Sequence, residues 1–116
     1  MKKKKLCFDL DGVICTTIGK KYKYAKPKKK IINLINELSK KHFIIIFTSR
    51  YMGRNKDNAK LAKKQGLRHT KEQLLKWNLK FDKLILGKPS YDFFIDDKAY
   101  GFNDNWYKNY KKYIKV

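Results

Sequence analysis

Short apolar runs alternate along the chain with segments of helical period. Leu6-Cys7-Phe8 is apolar without alternation, which predicts a strand buried on both faces of a parallel sheet. Residues 12 to 26 carry Gly12, Gly19 and interleaved Thr, Lys and Tyr, the pattern of a turn and then a small flap hairpin, about 13–26, tipped near Gly19. Pro27 suits the first turn of a helix whose Ile31, Leu34, Ile35 and Leu38 form one buried stripe, running to about Lys41. Phe43-Ile44-Ile45-Ile46-Phe47, β-branched and aromatic throughout, predicts the strongest strand and ends at Thr48-Ser49-Arg50. A helix is expected over Lys56 to Gln65, stopped by Gly66, and Thr70 with Gln73 three residues on makes a capping box for another through Leu74, Leu75 and Trp77. Leu84-Ile85-Leu86 and Phe93-Phe94-Ile95 read as two further strands. This order predicts an α/β fold: a three-layer, Rossmann-like parallel sheet with right-handed crossovers and helices on both faces.

Length and charge narrow the picture. The 116 residues make one domain, 1–116, and 42% hydrophobic content suffices for a core. Net charge is +20, yet of thirty cationic residues only Arg50, Arg54 and Arg68 are arginine. Such a field attracts any polyanion, but nucleic-acid readers favour arginine forks, so a solvated basic surface is the preferred reading over a nucleic-acid site. Cys7 and Cys15 are too few for a disulfide scaffold and lack the second pair of a zinc site, which points to a reducing cytoplasm. Asp9 and Asp11 interrupt the apolar stretch that a signal peptide led by Lys2 to Lys5 would need. The run Phe43 to Phe47 is far short of the roughly 20 residues that span a bilayer, so no membrane partner is expected. In residues 100–116, Phe102, Trp106, Tyr107, Tyr110 and Tyr113 alternate with lysines. They are read first as cover for a sheet edge, with a base-stacking platform or a self-association surface as alternatives.

The candidate chemistry lies in the acids. Of only ten acidic residues, Asp9, Asp11, Asp96 and Asp97 follow two predicted buried strands. In an open parallel sheet the ligand site lies at the carboxyl ends of the strands, so these four and Thr48 should share one crevice. Four close carboxylates cannot all stay ionised without a compensating cation, which argues for a hard metal such as Mg²⁺.

Phe8-Asp9-Leu10-Asp11-Gly12-Val13, with Thr48, Lys88 and Asp96-Asp97 following in order, resembles the haloacid dehalogenase superfamily of phosphohydrolases over roughly Leu6 to Ala99. A response-regulator receiver also uses aspartates, Thr and Lys, but no acidic pair follows its lysine. The resemblance implies that Asp9 is the nucleophile forming an aspartyl-phosphate, and that Asp11 protonates the leaving oxygen and then activates water. It implies that Thr48 and Lys88 hold and neutralise the transferring phosphoryl group. Asp9, Asp11 through its carbonyl, and Asp96 would bind Mg²⁺, with Asp97 holding metal-bound water or orienting Lys88. Asp at the second position of the motif favours a phosphatase over a dehalogenase.

Two departures bear on this. Only eight positions separate Lys88 from Asp96, leaving no helix between the last two strands, and no insertion is large enough for a cap domain. A capless member is implied, with an open crevice and a dimer or tetramer. Phe47-Thr48-Ser49-Arg50-Tyr51-Met52-Gly53-Arg54, with residues 80–92 and 95–98, also resembles small bacterial phosphatases of capsule and surface-polysaccharide synthesis. That implies a sugar or polyol phosphate as substrate, with Ser49, Arg50 and Arg54 on the substrate side and the two arginines gripping a second anionic group. The first reading is therefore a Mg²⁺-dependent phosphomonoesterase for a small phosphorylated metabolite. Behind it stand a nucleotide or nucleic-acid-end phosphatase and a non-catalytic basic nucleic-acid-binding or scaffold protein. His42 and His69 are expected at a helix end and in a loop, without a catalytic role.

Overall fold

The computed structural model describes residues 4–112, and its elements in chain order are β1 (Lys5–Phe8), two-residue strands β2 (Cys15–Thr16) and β3 (Lys26–Pro27), and helix α1 (Lys29–Leu38). Then come β4 (Phe43–Thr48), helix α2 (Ala59–Lys76), β5 (Lys83–Leu86) and the one-turn helix α3 (Trp106–Asn109). The sheet order is β1-β4-β5, all parallel, with Leu6 opposite Ile44, Phe8 opposite Ile46 and Thr48 opposite Leu86. The expected α/β fold with a parallel, Rossmann-like sheet flanked by helices is what the chain adopts.

The register decides where the core sits. Phe8, Ile44, Ile46 and Leu86 are buried and, being two apart along their strands, share one face. Ile31, Ile35 and Leu38 of α1 and Leu74 of α2 join Phe8, Ile44 and Ile46 in one apolar cluster. Both crossovers step in the same direction, and right-handed connections then put both helices on the same face. The opposite face, with Cys7, Ile45, Phe47 and Ile85, is half-buried to exposed. The helices expected on both faces stand on one; on the other, the Phe47, Tyr91 and Phe94 rings gather around Lys88 Nζ, at 6.0, 5.2 and 4.9 Å.

Four local expectations differ from the structure. The flap hairpin forms where the sequence puts it, Cys15 pairing with Pro27 and Gly19 at a φ of +58°, but Pro27 closes that ladder instead of opening α1. Lys56 and Asp57 are left-handed, so the next helix begins only after Asn58, whose side chain caps Leu61 N–H. Gly66 does not stop it: one helix runs from Ala59 to Lys76, His69 lies inside it, and the expected break at Thr70 is absent. The physical reason is packing, because the Tyr51 ring lies so close to Gly66 that a Cβ there would stand 2.2 Å from Tyr51 Cδ2. Finally, Phe93–Ile95 is no strand; Phe93 is 87% and Ile95 91% exposed. A three-residue apolar run with no connecting helix has no crossover to return it parallel to the sheet.

The Gly66 contact yields a measurable expectation. Alanine is the better helix former by about 1 kcal/mol. Here Gly66→Ala is expected to destabilise by about 1–3 kcal/mol in urea unfolding, because the methyl must displace a ring. A stabilised variant would contradict the packing described.

The aromatic C-terminal segment mostly serves the core. Trp106 is buried against Phe8, ring centroids 5.9 Å apart, and Tyr100, Tyr107 and Tyr110 pack partly onto the same cluster. Phe102 remains exposed, and Tyr113 lies outside the described residues. Among the described residues no helix is long and apolar enough to cross a membrane.

Candidate active site

Asp9 follows β1 directly, Thr48 ends β4 and Lys88 lies two residues beyond β5. Lys88 N–H donates to the Thr48 carbonyl at 3.2 Å, and Gly87 before it holds a φ of +113°, a conformation that aims the lysine back over the strand ends. Lys88 Nζ stands 3.6 Å from Asp9 Oδ2, with the lysine side chain only 7% exposed. Asp9 Oδ1 accepts from Leu10 N–H at 2.8 Å. Burial pushes the Asp9 carboxyl above its ordinary range, Lys88 and the Leu10 N–H oppose that, and Asp11 adds to it. Thr48 is buried, and its Oγ1 accepts from Arg50 N–H at 3.1 Å.

Asp11 is held by a network that sequence reading misassigned. Arg50 is 1% exposed, and its guanidinium donates from Nε to Asp11 Oδ2 at 2.9 Å and from Nη2 to Asp11 Oδ1 at 2.9 Å. Nη1 donates to Gln73 Oε1 at 2.6 Å, and Gln73 Nε2 donates to the Tyr22 carbonyl at 2.8 Å. The Arg50 Cζ lies 4.9 Å from the Tyr22 ring centroid. Thr17 Oγ1 donates to Asp11 Oδ1 at 2.6 Å. The Cys15 thiol, pushed up to about 11 mainly by burial, stays protonated and donates weakly to the Leu10 carbonyl. Arg50 therefore does not line a substrate subsite: a carboxylate and an amide take up its fork. Gln73, expected as half of a capping box, is a second member missed by sequence reading. An Arg and a Gln 23 positions apart give no local signal, and only the packing of α2 beside the flap brings them together.

The remaining residues separate into two groups. Ser49 is half-buried beside Thr48. Arg54 is exposed, its Cζ 4.6 Å from the Tyr51 ring centroid and 5.9 Å from that of Tyr22, so it is free of the Asp11 network. Asp96 and Asp97 are exposed; Asp96 Oδ1 caps Lys98 N–H at 2.8 Å and lies within electrostatic reach of Cys7. The four aspartates thus meet as Asp9 with Asp11, while Asp96 and Asp97 remain outside. Among the described residues no three His, Cys, Asp or Glu side chains stand close enough to hold a metal ion. The carboxylates as arranged do not fit the Mg²⁺ site implied above, because the segment carrying Asp96 is not a strand beside β1.

No family model matches the chain, and no curated protein matches it. Among solved structures it is similar to a crystallised structural-genomics target from Vibrio cholerae, with a TM-score of 0.77 and 28% identity over 94% of this chain and 95% of that one.

Proposed function

We propose that the chain is a phosphomonoesterase of the haloacid dehalogenase type, acting through an aspartyl-phosphate on a small phosphorylated metabolite such as a sugar or polyol phosphate. The observation that carries this is the Asp9–Lys88 pair, 3.6 Å apart at the carboxyl edge of a parallel sheet, with Thr48 and Asp11 beside it. Leu10 N–H fixes Asp9 Oδ1, which leaves Oδ2, on the Lys88 side, to attack phosphorus. Lys88 and the Thr48 hydroxyl offset the charge on the phosphoryl oxygens as the P–O bond of the ester breaks. The departing alkoxide takes a proton from solvent; Asp11, the carboxylate partner of Arg50, then takes a proton from the water whose oxygen displaces Asp9 from phosphorus, which releases inorganic phosphate, and returns that proton to solvent. Arg50 and Thr17 orient Asp11 for that transfer, and Gln73 holds Arg50 in place. Arg54 is the cation left to meet a second anionic group of the substrate.

The chain's own residues carry each of these steps, and the proposed dependence on Mg²⁺ is read by assaying with the cation or with EDTA. A dimer or tetramer that covers the open sheet face and the exposed Phe93 and Ile95 belongs to the same proposal, and light scattering of the eluted protein reads it directly.

The pair has a pH signature. Asp9 must be ionised to attack, and Lys88 is the main influence opposing its upward shift. Removing that cation raises the carboxyl further, so in Lys88→Met the acid limb of kcat/KM is expected to move to higher pH and the plateau to fall about 10²-fold or more. The stability sign follows as well. A folded value above the ordinary 3.8 means that this group's contribution is fully present below 3.8 and is lost as pH rises through the raised value. An unmoved acid limb in Lys88→Met would detach Lys88 from Asp9.

A further inference from the structure

We infer that the chain carries a binding site for single-stranded nucleic acid at the start of α1, whose walls share no residue with the Asp9 site and whose binding is independent of the proposed chemistry. The observation is a cavity of about 340 Å³ walled by Lys28, Lys29, Lys30, Phe102 and Tyr107, with Asp104 as the one acid on its rim. Its size is that of a small-ligand pocket. Its lining pairs a ring with a cation: Lys28 Nζ, which donates to the Gly12 carbonyl at 2.9 Å, lies 6.0 Å from the Phe102 ring centroid.

Phe102 marks this as more than core packing. The neighbouring Trp106 is buried against Phe8, whereas Phe102 is 52% exposed at the mouth of the cavity. Lys29 and Lys30 are exposed beside it, and the first turn of α1 holds no acidic residue to neutralise them. Like charges crowded at the positive end of a helix dipole cost stability, a cost that an anion offsets. A strand of nucleic acid supplies both halves of the match, flat bases for the rings and phosphates for the ammonium groups, in repeating order. A bilayer surface supplies anions without flat bases to stack on Phe102, and an acidic peptide supplies charge without a repeating row of bases. The net charge of +20 draws such a polyanion from a distance, and the cavity gives it a place to stop.

The test is fluorescence anisotropy of a labelled twelve-nucleotide oligothymidylate, with the whole chain carrying Asp9→Asn so that turnover plays no part. Phe102→Ala, which leaves charge unchanged, is expected to weaken binding about fivefold or more. Lys29→Glu with Lys30→Glu should weaken it further than the same double reversal at the exposed Lys63 and Lys64 on α2. Thermal melts confirm that each variant is folded. Equal losses from the two lysine pairs, an inert Phe102→Ala, or inorganic polyphosphate displacing the oligonucleotide as well as unlabelled strand does would reduce the binding to bulk charge and overturn the site. Both sets of outcomes are read without phosphatase activity, so loss of one inference leaves the other standing.

Discussion

Asp9→Asn is expected to abolish phosphate release, by at least about 10³-fold in kcat, while leaving the fold intact. The magnitude is that of losing a nucleophile, where orientation and charge stabilisation alone remain. The fold should survive because Asp9 is a burdened group: burial pushes its carboxyl up, and an amide removes that desolvation. The cost is a lysine, 7% exposed, whose carboxylate partner 3.6 Å away has gone. These two terms oppose, so the melting temperature should move by only a few degrees while activity disappears. A variant that loses activity and unfolds together would say nothing of chemistry, and Asp9→Glu then serves as the second probe. It keeps the charge beside Lys88 and displaces the attacking oxygen by a methylene, so it should be stable and equally inactive.

Asp11→Ala should instead be the most destabilising substitution at the site, by about 3–5 kcal/mol, and the reason is Arg50 rather than Asp11. The Arg50 side chain has 0% exposure against 25% for that of Asp11, so removing the aspartate strands a cation that water cannot reach. The Gln73 amide and the Tyr22 ring are too weak to replace an ionised partner. Removing the arginine as well should recover much of the loss: Asp11→Ala with Arg50→Met is expected to be more stable than Asp11→Ala alone by urea unfolding. That rescue is the signature of a buried charge left unpaired. Additive losses in the double variant would mean that the bidentate pair contributes little.

The legible parts of this chain were those fixed by local pattern. Unbroken Phe43–Phe47 could only be an interior strand, and the stripe Ile31, Leu34, Ile35, Leu38 could only be one face of a helix. Asp9 and Thr48 share one edge because each stands at the end of a strand and parallel strands bring their carboxyl ends together whatever the loops do, and Lys88, which only the family resemblance names, lies 3.6 Å from Asp9. What failed depended on contacts between distant residues. Gly66 has the look of a helix stop, but its missing side chain makes room for Tyr51, 15 positions earlier in the chain. Arg50 sits where a substrate-gripping arginine would, yet Gln73 and Asp11 close around it from both sides. Phe93-Phe94-Ile95 has strand composition, and composition does not supply the crossover that a parallel strand requires. Asp96 and Asp97 were drawn from the metal set with it.

The most direct test of the aspartyl-phosphate claim is capture of that intermediate. The protein is mixed with a panel of sugar phosphates, nucleotides and a 3′-phosphorylated oligonucleotide, with Mg²⁺ or EDTA. It is then quenched in acid, and the peptide containing Asp9 is weighed by mass spectrometry. The account predicts the added mass of one phosphoryl group on Asp9 with at least one sugar or polyol phosphate, and none in Asp9→Asn. Turnover of a panel member with no phosphoryl group ever on Asp9, or equal labelling in the Asn variant, would contradict it.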